Sequence, residues 1–407
     1  MYSKISGLIT LLTLASTIAL TNSSPSSSSQ TSLTTTNKWV VLVAGSNEYY
    51  NYRHQADIYH AYQIFHDNGY PDSQIIVMQY DDIAYNPSNP FQGIVLNDVG
   101  GRNMYVNIPK DYTGEHVTPK NFLSVLLGES TNSTKKVITP SPMNDIFIYF
   151  ADHGAPGLIG FPNGDVLYAH ELNETFTSMY STKSYNSIVF YMEACESGSM
   201  FNRILSPHIN VYAVTASTPQ QSSWACCQDD TVNAYLGDTF SVNWLENVDS
   251  FERVMNQSLL DMFKVVQNET DTSHVCEYGD LSMASLNVSK YLVYTVEGFE
   301  RKEKTIQMKE KVNVKRTGRN SREASLEGML NLCAQSSGEA LYSDWDESEY
   351  MTDLNGGNEC YPKEVLDTRC LKRKIEEFEL NKGSKLSEFE FKLVRHIGWE
   401  CFKCVVE

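Results

Sequence analysis

Two short stretches carry residue types suited to nucleophilic chemistry. In "FYMEACESGSMF" (190–201) an apolar run stops at Glu193-Ala194-Cys195-Glu196 and opens into Ser-Gly-Ser. A thiol attacks only as its thiolate, so it needs a base or a cation beside it. Of nine histidines, His153 fits best. It follows the apolar run "IFIYFAD" and precedes Gly154, where the backbone can approach a substrate closely. Taken singly, the cysteine reads as a polar loop residue and the histidine as a structural one. Their spacing, one strand–helix–strand unit, makes them a candidate nucleophile and base.

Strands must carry both residues to one edge. "KWVVLVAGS" (38–46), "SQIIVMQYDD" (73–82), "NDIFIYFADHG" (144–154), "NSIVFYMEAC" (186–195) and "INVYAVTAS" (209–217) read as strands. "HQADIYHAYQIFHDNGY" (54–70), "TPKNFLSVLLGE" (118–129) and "AHELNETFTSMY" (169–180) read as helices, the second with Thr118 as N-cap and Pro119 at its first position. The alternation implies an α/β fold with a mainly parallel sheet, whose functional loops lie at the carboxyl ends of the strands. "GSNEYYNYRH", "DHGAPG" and "EACESG" all fall there. Ala84 to Glu115 reads as a long loop, rich in Asn, Pro, Gly and Asp. "RKEKTIQMKEKVNVKRTGRNSR" (301–322) is basic and polar and reads as a linker. The segment 324–407 reads as helical.

Composition narrows the classes. With 41% hydrophobic residues, 24 Tyr and 17 Phe, the chain can build a real core. A net charge of −18 argues against a nucleic-acid partner. No His-Glu-x-x-His supports a zinc hydrolase, and no Gly-x-Ser-x-Gly supports a serine hydrolase. No cofactor or metal is expected. Lys4 followed by "ISGLITLLTLASTIAL" reads as a signal peptide (1–20), and 21–37 as a Ser/Thr-rich linker. No later segment reads as a membrane span. In a secretory chain, Asn22, Asn132, Asn173, Asn256, Asn268 and Asn287 head glycosylation sequons. The secretory pathway also favours disulfides among Cys360, Cys370, Cys401 and Cys404, with a zinc site at Cys401-x-x-Cys404 as the competing reading. Cys226, Cys227 and Cys276 read as buried thiols.

The phrases "WVVLVAGSNEYYNYRHQADIYHAYQI", "YDDIAYNPSNPFQGIVLN", "DHGAPGLIGFP", "FYMEACESGSMF" and "YLGDTFSVNW" resemble the legumain family of asparaginyl endopeptidases. The likeness is dense over 38–300 and thin beyond, carried there by "CYPKEVLDTRC". It implies a caspase-like catalytic domain (38–300), an activation peptide (301–323) and a helical, inhibitory C-terminal prodomain (324–407). By resemblance, Cys195 is the nucleophile, His153 the base and then the acid, and Asn51 the residue that orients it. Gly154 and Cys195 would supply the oxyanion hole. Arg53 and His54, on the first loop, would meet the carbonyl of a P1 asparagine, and Glu193, Ser222 and Asp238 its NH2 group. Cys360–Cys401 and Cys370–Cys404 would be the prodomain disulfides. Protein substrates with P1 asparagine, the chain's own prodomain and cystatin-type inhibitors are the implied partners, in a lysosome or vacuole. Acid-triggered release with cleavage after Asn313 or Asn320, weak cleavage after aspartate at acid pH, and a peptide-ligase side activity are further expectations. Two readings compete: a GPI-anchor transamidase-like subunit, for which a C-terminal membrane span is expected, and a non-catalytic binding protein of the same fold.

Overall fold

The apolar runs of the sequence become strands buried on both faces, as parallel strands covered by helices must be. The computed structural model describes residues 37–130, 136–295, 318–337, 364–394 and 401–404. Thr36–Glu407 forms one compact unit. In chain order its first half comprises β1 (Asn37–Ala44), α1 (Tyr52–Asp67), β2 (Ile75–Met78), α2 (Pro119–Leu127), β3 (Asn144–Ala151), the short strands β4 (Gly154–Ala155), β5 (Leu158–Gly160) and β6 (Val166–Tyr168), α3 (Ala169–Ser181), β7 (Ser187–Glu193) and β8 (Val211–Thr215). There follow a hairpin of β9 (Trp224–Asp229) and β10 (Ala234–Asp238), then α4 (Thr239–Asp249), α5 (Phe251–Asn256), α6 (Leu259–Glu269), β11 (Cys276–Gly279) and α7 (Ser289–Leu292). The C-terminal part holds β12 (Arg319–Asn320), α8 (Ser321–Ser337), β13 (Glu364–Leu366), α9 (Thr368–Lys382) and β14 (Phe402–Cys404).

The main sheet has six strands in the order β11-β8-β7-β3-β1-β2. All neighbours are parallel except β11, which runs antiparallel to β8 at one edge. Alternation of side chains splits the core in two. Val40, Leu42 and Ala44 of β1 pack with Tyr52, Ala56 and Tyr59 of α1 and with Trp244 of α4. Val41 and Val43 face the other way, onto Phe122 and Val125 of α2 and Leu172 and Phe176 of α3. Each large side chain buried this way contributes roughly 1.5–3 kcal/mol. This is the expected α/β class: a mainly parallel sheet flanked by helices, with helices in the C-terminal region. Among the described residues no helix is long and apolar enough to cross a membrane.

Local rules set the helix ends. Thr118 caps α2 by accepting from Asn121 N at 3.1 Å, with Pro119 first in the helix. Gly128 ends it at φ 71°, a left-handed cap that glycine adopts without cost. Helix α1 starts two residues earlier than expected, so Arg53 and His54 stand in its first turn and not on a loop.

Three expectations need correction. Cys370 bonds Cys401, with the Cα atoms 5.6 Å apart, and not Cys404. The reason is register: β13 and β14 pair antiparallel with Leu366 opposite Phe402 and Glu364 opposite Cys404. Cys370 follows β13 and Cys401 precedes β14, at the same end of the ladder. Cys404 lies three residues further away, about 10 Å along the strand, beyond disulfide reach. Cys360 lies outside the described residues, so the Cys360–Cys401 pairing is excluded by the partner Cys401 already has. Asn173 is buried on α3 and its Nδ2 donates to Ala169 O at 2.7 Å and Met200 O at 2.9 Å, so it presents no acceptor for a glycan. Asn256, Asn268 and Asn287 are exposed; Asn22 and Asn132 lie outside the described residues. Cys276 is disulfide-bonded, while Cys226 and Cys227 are buried with their sulfurs 2.6 Å apart.

Candidate active site

Register between two buried strands brings the chemistry together. The last pair in the β3–β7 ladder is Ala151 with Glu193. Two residues beyond each lie His153 and Cys195, at the carboxyl edge of the sheet. Asp152 N donates to Glu193 O at 3.1 Å and continues the ladder into the loops. The chain at Gly154 lies against Cys195 so closely that a Cβ there would collide with the Cys195 carbonyl. Glu196 then turns sharply at φ 47°, and its N–H donates to Gln221 O at 2.8 Å.

Hydrogen bonds fix the histidine's tautomer. Asn51 Nδ2 donates to Asn47 O at 3.1 Å and to the Glu388 carboxylate at 3.1 Å. Its Oδ1 is therefore turned to accept from His153 Nε2, at 2.9 Å. That leaves Nδ1 as the nitrogen with the lone pair, and Nδ1 has no hydrogen-bond partner. Burial, then the Arg53 and Arg322 cations, hold the imidazole well below its usual pKa. Burial pushes the Cys195 thiol up, against the pull of Arg322. The resting pair is a neutral thiol and a neutral imidazole. An imidazole with an open Nδ1 can take a thiol proton once a substrate excludes water. Cys195 Sγ lies 3.8 Å from Ser223 Oγ.

Beside the pair lies a cluster of buried polar side chains. Arg53 Nε donates to Asp238 Oδ1 at 2.9 Å. His54 Nδ1 meets Ser46 Oγ at 2.7 Å and lies 3.3 Å from Asp152; its Nε2 is 3.6 Å from Asp238. Glu193 accepts from Ser241 N at 3.1 Å and Ser241 Oγ at 2.9 Å. Burial raises the carboxyls of Glu193 and Asp238, with Asp238 adding to the rise in Glu193 and Arg53 restraining Asp238. Ser222, also buried, lies 3.4 Å from Arg322. Ligand atoms of His54, Asp152 and His153 fall within 4.8 Å of one another, a spacing that could hold a metal ion.

The C-terminal part enters this site. Strand β12 pairs antiparallel with β9, Arg319 opposite Ala225 and Asn320 opposite Trp224. Ser321 N donates to Ser223 O at 3.0 Å. The Arg53 guanidinium donates to Ser321 O at 3.0 Å and to Ser321 Oγ at 2.7 Å. Arg322 pairs with Glu196 and donates to Gly154 O at 2.6 Å. Ser325 donates to Asn51 Oδ1 at 2.6 Å and lies 3.2 Å from His153 Nε2. Glu388 lies 3.7 Å from the same nitrogen.

The structure thus gathers Cys195, His153, Asn51, Gly154, Arg53, His54, Glu193, Ser222 and Asp238 at one edge. Sequence reasoning missed Asp57, Ser223, Ser241, Glu196, Arg322, Ser325 and Glu388. Asp57 had a signal: it stands one helical turn after Arg53, on the same face. Arg322 and Ser325 had none, because nothing in their local sequence shows that β12 adds to the edge of β9.

The Peptidase C13 family profile matches residues 38–309. Human legumain is 51% identical over 257 residues, 62% of this chain and 59% of that protein. The vacuolar-processing enzyme delta-isozyme of Arabidopsis thaliana is 46% identical over 270 residues, 63% of this chain and 58% of that protein. The hemoglobinase of Schistosoma mansoni is 47% identical over 257 residues, 63% of this chain and 59% of that protein. The match thus spans about three fifths of the length of these relatives. A caspase-1 structure from Spodoptera frugiperda covers 60% of this chain and 87% of its own, at TM-score 0.36 and 9% identity, a likeness too low to carry an argument. On the family match over residues 38–309, the chain belongs to the peptidase C13 family.

Proposed function

We propose that the chain is a cysteine endopeptidase that cleaves after asparagine and is held latent by its own C-terminal part. The observation that carries this reading is the His153 tautomer: Asn51 takes Nε2–H, and Nδ1 is left open at the strand edge that bears Cys195. His153 Nδ1 takes the Cys195 proton as the sulfur attacks the P1 carbonyl. The Gly154 and Cys195 N–H groups bind the developing oxyanion, a contribution typically about 3 kcal/mol per donor. The imidazolium then protonates the leaving amine, and Nδ1 activates the water that releases the acyl group. If an amine takes the place of water, the product is a ligated peptide.

The pocket supports asparagine as the P1 residue. Arg53 offers donors to an amide carbonyl, and the Glu193 and Asp238 carboxylates offer acceptors to an amide NH2. A pocket of buried polar groups rejects side chains that leave those groups unpaired. A protonated P1 aspartate mimics asparagine, so weak cleavage after aspartate is expected at acid pH. The names of two relatives, a vacuolar-processing enzyme and a hemoglobinase, support a vacuolar setting and protein substrates; a lysosomal setting and cystatin-type inhibitors are proposed on the resemblance alone.

Latency is supported by β12 and α8. Segment 319–321 lies on β9 as an added strand, with Ser321 on Arg53 and Ser325 on His153. Asn320, a candidate maturation site, stands one residue short of the pocket; Asn313 lies outside the described residues. The test uses matured protein at acid pH beside a Cys195→Ala control, with fluorogenic peptides differing only at P1: Asn, Asp, Lys and Ala. Turnover after Asn, absent in the control, is expected. Turnover after Lys or Ala equal to that after Asn would overturn the pocket assignment, and turnover surviving Cys195→Ala would overturn the nucleophile.

A further inference from the structure

Behind the pocket runs a hydrogen-bonded chain of buried side chains that the proposed chemistry does not use. Asp57 stands one turn after Arg53 on α1. Its Oδ2 accepts from the Asp238 backbone N–H at 3.3 Å, and its Oδ1 accepts from Asn97 Nδ2 at 2.6 Å. Asn97, on the long loop after β2, also donates from Nδ2 to Leu236 O at 3.0 Å. Those two acceptors fix the amide's orientation, so Asn97 Oδ1 faces His60 Nδ1, at 2.8 Å. The other ring nitrogen of His60 faces the Asp249 carboxylate at 3.2 Å. Asp57, Asn97 and His60 are all buried, while the Asp249 side chain is 32% exposed. The chain therefore leads from the surface, at the end of α4, to the backbone of the residue that pairs with Arg53.

Three features show that this chain is built for the pocket. A Cβ at Gly237 would come within 2.5 Å of Val242 Cγ2, 3.0 Å of Asn97 Nδ2 and 3.1 Å of Asp57 Oδ1, so the glycine leaves room for α4 and relieves crowding on the pair. Asp57 makes no ion pair among the described residues, and burial and the Asp238 charge push its carboxyl well above the usual range. Both of its oxygens accept, from Asp238 N–H and from Asn97 Nδ2, while Arg53 holds the Asp238 carboxyl down against the larger effect of burial. Both nitrogens of His60 face acceptors, which only the imidazolium can satisfy. The bonds to Asp249 and Asn97 raise it, against burial and the nearby Arg102 cation.

We propose that Asp57, with Asn97 and His60 behind it, is a positioning residue of the specificity pocket, fixing the Asp238 backbone and aiming its carboxylate between Arg53 and the P1 side chain. This rests on the peptidase reading above. Losing the buttress loosens P1 recognition more than it slows the chemistry, because Cys195 and His153 stand on other strands.

The test is steady-state kinetics on the matured enzyme with P1 Asn and P1 Asp peptides, comparing wild type with Asp57→Ala, Asp57→Asn and Asp249→Asn. Asp57→Ala is expected to raise KM for the Asn peptide about tenfold or more, with a smaller change in kcat, because buried donors lose their acceptor. Asp57→Asn keeps one acceptor oxygen but turns its NH2 toward the other donor, so it is expected to recover only part of that loss. Asp249→Asn changes a partly exposed site and so keeps the fold. It is expected to raise KM about two- to threefold. Wild-type turnover combined with an unchanged KM and Asn-to-Asp preference in folded Asp57→Ala and Asp249→Asn would overturn the chain and leave the peptidase reading intact. Absence of wild-type turnover would overturn the peptidase reading and this one with it.

Discussion

In the proposed mechanism, Asn51 decides which nitrogen of His153 is open to act as the base. Its amide is locked by two acceptors on Nδ2, so its oxygen takes the Nε2 proton and Nδ1 stays open. Without Asn51 the imidazole is free to carry its proton on Nδ1, which disables it as a base toward Cys195. Asn51→Ala in the matured enzyme is expected to lower kcat about a hundredfold, within the range general-base catalysis contributes, with little change in KM for a P1 Asn peptide. A KM effect larger than the kcat effect would show that Asn51 serves binding instead. Cys195 and His153 were legible in the sequence because each ends an apolar run with residues that have no reason to be there structurally. Asn51, Arg53 and Asp238 were reached only by resemblance, because a buried charge and a surface charge look alike in one sequence. The Asp238–Arg53 pair joins residues from α1 and β10, far apart in the chain.

At the scale of elements, the long strands and the helices before residue 217 follow from periodicity and caps, and their order already implies the parallel sheet; the short strands β4, β5 and β6 do not. The β9–β10 hairpin and β12 were not legible. Strand β9 begins beside the polar loop 217–223, and β12 is two residues long, defined by its partner and not by its own pattern. Cysteine pairing was also illegible, since spacing says nothing of the β13–β14 register that decides it. The bond between Cys370 and Cys401 closes a loop of 31 residues, worth ~3–4 kcal/mol by chain entropy. Cys370→Ser is expected to lower the temperature at which the C-terminal part melts and to leave the sheet core unmoved. Peptide mapping without reduction tests the register directly: a Cys370–Cys404 fragment in place of Cys370–Cys401 would refute it.

For the whole molecule, the proposed latency raises the question of how pH would act on the docked C-terminal part. Two carboxylates at the interface act in opposite directions. Glu196 pairs with Arg322 of α8, so neutralising it weakens docking as pH falls. Glu388 has the reverse sign. Burial pushes its carboxyl up from 4.5 to about 7, against Asn51 and Arg53, with Asp152 and Glu48 also near it. A carboxyl raised on docking favours the docked state fully below about 4.5 and loses that contribution as pH rises through about 7. Glu388 therefore resists acid release, and the proposed acid trigger must work through groups such as Glu196. Glu388→Gln keeps an acceptor for Asn51 and removes the charge, so it is expected to tighten latency at pH 7 and to change little at pH 4. Glu196→Gln is expected to shift self-activation toward neutral pH. Following activation of the full chain in steps from pH 4 to 7.5 reads both effects. A Glu388→Gln protein that activates faster than wild type at pH 7 would reverse the sign assigned to Glu388, and unchanged activation in Glu196→Gln would remove the Arg322 pair from the trigger.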